Sequence, residues 1–214
     1  MSHNLKRETV SPEVSPEMST DVVERFPPTS GRVSGAIGLV TAAVVLGLAI
    51  WPRDTGTPLG VAIVACFGAL VTWVTLLRPA LWVTADDLVL RNMLVTTYVP
   101  LAAIDRVITA QVLAVTAGEH RYVSPVIGYT LRQTVTGKGR SADEKTPSAV
   151  NTYQVFVEDQ IHHHADSARE RLRITKGSPE QQALADGVRR SHAWPEIAGL
   201  VGLAVAFVVW FFVH

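Results

Sequence analysis

VSGAIGLVTAAVVLGLAIW, Val33 to Trp51, is a run of 19 residues without a single charge. At 1.5 Å of rise per residue, such a helix covers the roughly 30 Å hydrocarbon core of a bilayer. A buried helix of a soluble domain keeps a polar stripe over that length, and this run has none. LGVAIVACFGALVTWVTLL, Leu59 to Leu77, follows closely, bounded by Pro58 before it and Arg78-Pro79 after it. Together the two runs predict a transmembrane hairpin. A third run, IAGLVGLAVAFVVWFFV from Ile197 to Val213, reaches the residue before His214 and predicts a C-terminal span. Trp51, Trp73, Trp194 and Trp210 fall at or near the ends of these spans, where indole favours the headgroup region.

Composition agrees with lipid as part of the solvent. Of 214 residues, 48% are apolar and 18% charged, against about a quarter charged in a typical soluble domain. Mean hydropathy is +0.23. Nineteen Lys and Arg balance nineteen Asp and Glu, so no global field attracts nucleic acid and no nucleic-acid partner is expected. Cys66 is the one cysteine, which excludes an intrachain disulfide and a thiolate zinc cluster. It lies mid-span among apolar neighbours and reads as a packing residue. Met1 to Ser30 mixes charges of both signs with four prolines and lacks the apolar core of a secretory leader. Residues 1–31 are expected to be a disordered cytoplasmic segment.

Basic residues set the expected orientation. Arg25 and Arg32 precede the first span, the loop from Trp51 to Pro58 holds only Arg53 beside Asp54, and 14 Lys and Arg lie between Arg78 and Arg190. By the positive-inside rule the N-terminus and the large segment after the hairpin are cytoplasmic, and His214 is extracytoplasmic. The expected location is the inner (plasma) membrane, crossed three times. Charge is absent from the interior of the spans, with Glu196 at an interface. That weighs against channels and secondary transporters, which need intramembrane ionisable groups or broken helices. Small residues recur at four-residue spacing: Ser34, Gly38 and Ala42 in the first span, Ala65 and Ala69 in the second, and Ala198, Gly202 and Ala206 in the third. Such ladders permit close helix approach, within the chain or to a partner, although membrane helices are rich in small residues anyway.

Four segments result: 1–31, a helical hairpin over 32–78, a domain over 79–194 and a last helix over 195–214. In the domain, Leu81-Trp82-Val83-Thr84 and Leu88-Val89-Leu90-Arg91-Asn92 flank Ala85-Asp86-Asp87 as a hairpin flanks its turn. Thr96 to Val99 and Ile104 to Leu113 are further strand candidates, parted by Pro100. Tyr129 to Val135, Tyr153 to Val157, and Leu172 with Ile174 alternate with period two and also read as strands. Gly137 to Val150 reads as an exposed loop. Ser178-Pro179-Glu180-Gln181 carries the cap and first-turn residues of a helix that continues through Ala183, Leu184 and Val188. The expected class is three transmembrane helices plus a cytoplasmic α+β domain, a bent antiparallel sheet or small barrel capped by a C-terminal helix.

A hairpin of spans followed by Leu77-Arg78-Pro79, the β-hairpin Leu81 to Asn92, and Val99-Pro100-Leu101-Ala102-Ala103-Ile104-Asp105-Arg106-Val107 resembles actinobacterial membrane proteins with a bacterial pleckstrin-homology (PH)-like domain. The resemblance covers roughly residues 77 to 190 and lies in pattern rather than in a signature motif. It implies a seven-stranded bent sheet capped by a helix and no catalytic residues.

Chemistry-bearing patterns are sparse. His162-His163-His164 with Asp166 invites a metal, but on a strand only His162 and His164 share a face, short of the three or four ligands zinc takes. No metal site is therefore assigned. No phosphate loop, dinucleotide glycine pattern or HExxH helix occurs, so no catalytic residue and no cofactor is expected. Arg169, Arg171 and Arg173 alternate with Glu170, Leu172 and Ile174. On a strand, all three guanidinium groups project from one face and can contact anionic headgroups. An ordinary solvated strand face is the plainer reading. Arg189 and Arg190 hold the cytoplasmic end of the last span. The expected function is a non-enzymatic scaffold or accessory subunit whose partners are the bilayer and another membrane protein or a second copy. Anchorage at both ends keeps the domain at high local concentration near the membrane. The alternative is a sensor of anionic lipid using the arginine face.

Overall fold

A computed structural model describes residues 21–28, 31–50, 58–109, 112–127 and 149–213. Among these residues three helices are long and apolar enough to cross a membrane. Arg32–Ile50 is α1. Pro58–Thr72 is α2, extended by a π-helical turn over Trp73–Leu77. Trp194–Val213 is the last helix of the chain. α2 packs against both of the others. Each of the three runs is apolar all round, and a helix satisfies its backbone hydrogen bonds within itself, as a segment able to cross hydrocarbon must.

Between α2 and the last helix lies a mixed helix and antiparallel-sheet region. The hairpin read from the sequence is present, with β2 at Ala80–Thr84 and β3 at Asp87–Arg91. Thr84 Oγ1 closes its turn by accepting from the Asp87 amide at 3.0 Å. β4 is Val95–Pro100. After a 3-10 turn at Leu101–Ala103, the stretch read as one strand divides into β5, Ile104–Thr109, and β6, which begins at Leu113 and ends at Ala117. β7 is His120–Ser124.

Two corrections change the architecture. Val22–Phe26, assigned to a disordered segment, is a strand, β1, paired antiparallel to β2 with Arg25 opposite Trp82 and Phe26 opposite Leu81. Phe26 is buried, and that burial holds a short β-branched stretch in place. Ala149–Leu172, where the alternation predicts strands at Tyr153 to Val157 and at Leu172, is a 24-residue helix, α3. Its buried residues Val157, Ile161, Ala165 and Ala168 recur at helical spacing. They pack on the 3-10 turn and β5. The strand expected at Tyr129 to Val135 and the loop through residue 148 lie outside the described residues.

The short helix Pro179–Ala185, α4, starts where the cap signal placed it, with Ser178 Oγ accepting from the Gln181 amide at 3.2 Å, but it ends before Val188, which the sequence pattern includes. β8, Arg189–His192, then leads directly into the last helix, α5. Among the described residues the strands make a five-stranded sheet in the order β1-β2-β3-β4-β8 and a three-stranded sheet β5-β6-β7. Leu81, Val83, Leu88, Leu90 and Val99 from the first sheet share one core with Ile104, Val107, Leu113 and Val115 from the second and with α3. Each fully buried Val, Leu or Ile contributes about 1.5–3 kcal/mol.

Candidate functional site

Three strands of the larger sheet neighbour membrane-length helices in chain order: β1 precedes α1, β2 follows α2 and its π-helical turn, and β8 precedes α5. The junction is organised by one side chain. The π-helical turn ends with the Arg78 amide donating to Trp73 O at 2.9 Å, and it widens the last turn of α2 where the chain leaves the span. The Arg78 side chain is buried. Its Nε donates to Glu196 Oε1 at 2.8 Å, while Nη1 donates to Asn92 O at 2.6 Å and Met93 O at 2.7 Å. One guanidinium thus ties the end of α2, the first turn of α5 and the β3–β4 turn together. The Ala193 amide completes the join by donating to Leu94 O at 2.9 Å. Asn92 Nδ2 donates to Val123 O at 2.8 Å, linking the same turn to β7.

α3 latches β1 from the other side. His164 Nε2 and Glu24 Oε2 are 2.8 Å apart, and Tyr153 OH donates to Pro27 O at 3.0 Å. Burial, and then the negative charge of Glu24, push the Tyr153 hydroxyl above its ordinary pKa. At the far edge of the sheet Arg189 pairs with Asp87 and lies over the Tyr98 ring at 5.5 Å. Burial raises the Asp87 carboxyl, and Arg189 offsets only part of that rise. Arg190 lies over the Tyr122 ring at 5.7 Å. The two arginines expected to hold the end of the last span are therefore also members of the sheet.

The arginine face of residues 169 to 173 does not form. In α3 successive side chains turn by about 100°, so the alternation carries no shared face. Arg169 is buried, with Nη1 donating to Ile104 O at 2.6 Å and Nη2 paired with Asp166. Gln181 Nε2 donates to the same carbonyl at 3.3 Å, which joins α3, α4 and β5. Arg171 Nη2 donates to Ala85 O at 2.6 Å. Arg173 ends the helix with φ of 55° and is exposed. The histidines also fan out around α3: His164 meets Glu24, and His163 faces solvent.

The small-residue ladders divide. A Cβ on Gly38 would stand 2.8 Å from Thr72 Cγ2, so that glycine sets the approach of α1 to α2. Ala65 is buried, and Ala42 and Ala69 are half-buried. Ser34 is exposed, and Gly35, packed on Leu76 and Leu77, takes its expected place in the contact. In α5 it is Gly199, against Leu70, that meets α2; Ala198, Gly202 and Ala206 are exposed.

A cavity of about 510 Å³ opens on the outer face of the sheet beside the start of α1, with Arg25, Arg32, Arg91, Trp82 and Pro27 in its lining. These arginines come from three separate elements, so no local sequence pattern marks their meeting. Compared with known proteins, the chain matches no family model, no curated protein and no solved structure.

Proposed function

We propose that this chain is a non-enzymatic inner-membrane protein that presents a PH-like domain at the cytoplasmic face, as a scaffold or accessory subunit of a membrane protein complex. The observation that carries the reading is the mounting of the domain. Three strands of one sheet neighbour three membrane-length helices in chain order, and Arg78 locks the exit of α2 to the entry of α5. A domain tethered by a flexible linker samples many orientations, whereas Arg78 and the short connections of β2 and β8 hold this one to α2 and α5. Fixed presentation suits a surface that other membrane proteins must find. The meander β2 to β7, divided between two sheets and closed by α3, supports the PH-like assignment. The excess of Lys and Arg between Arg78 and Arg190 over the loop after α1 supports the cytoplasmic side.

Gentle detergent extraction of the full chain, followed by size analysis and mass spectrometry, tests the proposal. Recovery in a stoichiometric complex with another membrane protein, or with further copies of itself, is expected. A solitary monomer under those conditions refutes it.

A further inference from the structure

We infer that the cavity at the membrane end of β1, β2 and β3 binds the phosphate of an anionic phospholipid headgroup through Arg25, Arg32 and Arg91. The inference rests on the membrane-spanning reading of α1 and goes beyond the scaffold role.

The sheet register places the groups. Arg25 stands opposite Trp82, and Arg91 stands opposite Ala80. Trp82 and Ala80 are two residues apart on β2, so all four side chains leave the same face of the sheet. That face is the outer one, because the alternate residues Phe26, Leu81 and Leu90 enter the core. Arg25 and Arg91 thus flank β2 from strands about 10 Å apart, within reach of two long side chains that converge on one group. Ala80 between them contributes only a methyl, which leaves the floor open. Arg32 closes the third side as the first residue of α1. Gly31, at φ of +99°, turns the chain into that helix in a conformation that other residues rarely adopt.

Charge and depth select the ligand. The described lining holds three arginines and no carboxylate. Among the described residues no hydrogen bond or ion pair engages these three guanidinium groups, although Arg91 acts electrostatically on Glu196, which Arg78 already holds. The first turn of α1 has no acidic residue, so the positive end of the helix dipole adds to the same field. Guanidinium forks match phosphate oxygens in pairs. The volume of about 510 Å³ falls within the range of small-molecule sites. Arg32 begins an apolar helix of 19 residues, which places the cavity at headgroup level, where Trp82 also suits the interface. A phosphate that arrives there on a lipid keeps its acyl chains beside α1.

The full-length protein is reconstituted in nanodiscs of phosphatidylcholine and phosphatidylglycerol, four to one, then released into mild detergent. Lipids that remain bound are counted by native mass spectrometry. Losing one arginine at an anionic surface costs on the order of fivefold in association. Combined Arg25→Gln, Arg32→Gln and Arg91→Gln is therefore expected to lower phosphatidylglycerol retention by at least about tenfold. A control with the same loss of charge, Arg106→Gln, Arg121→Gln and Arg173→Gln, exposed elsewhere on the domain, is expected to retain phosphatidylglycerol as the unaltered chain does. Equal retention by the two triple variants overturns the inference. Calorimetry with sodium phosphate, on protein in phosphatidylcholine-only nanodiscs, separates lipid phosphate from soluble phosphate. No binding heat is expected, and heat that the first triple variant loses reassigns the cavity to a soluble anion and overturns the lipid. If that triple variant melts early, Arg32→Gln alone, at an exposed helix start, is read in the same assay, where retention equal to the unaltered chain refutes the inference. Failure of the membrane reading has a different signature, a chain that stays dissolved without detergent.

Discussion

Removing the Arg78 guanidinium should loosen the sheet from the spans while leaving each part intact. Arg78→Met keeps the aliphatic stem and deletes three charge-assisted hydrogen bonds, to Glu196 Oε1, Asn92 O and Met93 O, at 2.8, 2.6 and 2.7 Å. At about 1.5–3 kcal/mol apiece, the gross loss is several kcal/mol. Part is recovered, because Met93 is 42% exposed and the Glu196 side chain 19%, so water reaches the groups left behind. The net loss belongs at the low end of the about 3–5 kcal/mol seen when one partner of a buried pair is removed, or about 3 kcal/mol. Amide hydrogen exchange of the full chain in detergent micelles localises the effect. The Ala193 amide, bound to Leu94 O at 2.9 Å, and the amides of β8 should exchange on the order of a hundredfold faster. Glu196→Gln alone should cost less, and a cycle with Arg78→Met should show coupling of about 0.5–3 kcal/mol. Exchange at Ala193 altered by less than about threefold would refute the view that Arg78 joins sheet to spans.

Four further outcomes follow from the packing and the charges. Ile161→Ala removes a fully buried side chain from the α3 interface and should cost about 2–5 kcal/mol in thermal or denaturant unfolding. Gly38→Ala should destabilise the hairpin by about 1–3 kcal/mol, because its Cβ would meet Thr72 Cγ2 at 2.8 Å; combining it with Thr72→Ala should restore most of the loss in a melting assay. Burial holds the Asp87 carboxyl above 3.8 in the folded chain, so its contribution to stability is full below the unfolded pKa and is lost as pH rises through the folded pKa. Unfolding measured at several pH values should therefore show the unaltered chain gaining on Asp87→Asn as pH falls from neutral toward 3.8. Tyr153→Phe deletes the hydrogen bond to Pro27 O and should cost about 1 kcal/mol, with faster amide exchange in β1.

The spans and the first β-hairpin were legible because their signals are local. Nineteen uncharged residues in a row have few soluble alternatives, and Asp86-Asp87 between β-prone runs is turn chemistry. The α3 helix was misread for a physical reason. Tyr153, Val155 and Val157 alternate, but Val155 is 58% exposed, and the helical stripe from Val157 through Ile161 and Ala165 to Ala168 runs through the polar HHHADSARE. Apolar residues on a half-exposed helix thus imitated a strand. β1 was hidden because VVERF sits in a charged, proline-rich segment and gains its order by pairing with β2, more than fifty residues away in the chain. The arginine cavity was illegible in principle, since register across β2 and the start of α1 brings residues 25, 32 and 91 together. Their positive-inside role was readable; their convergence was not.

The placement of β1 and β8 constrains how the domain can meet anything else. Among the described residues they are the two edges of the larger sheet, and an unprotected edge is where a strand from another chain would add. Here each edge strand leads toward a membrane-length helix, α1 from β1 and α5 from β8. Both carry charge, Glu24 and Arg25 on one and Arg189 and Arg190 on the other. Charged edge strands disfavour pairing with another chain, and the adjoining spans leave little length along which a new strand can lie. Sheet extension is therefore a poor route for recognition in this architecture. Motion of α5 relative to α2 instead has a direct path into the domain. Arg78 bridges those helices and holds the β3–β4 turn, so separating them breaks bonds to both Glu196 and the turn, not to Glu196 alone. The same side chain that fixes the domain to α2 and α5 also couples the arrangement of those helices to the shape of the sheet.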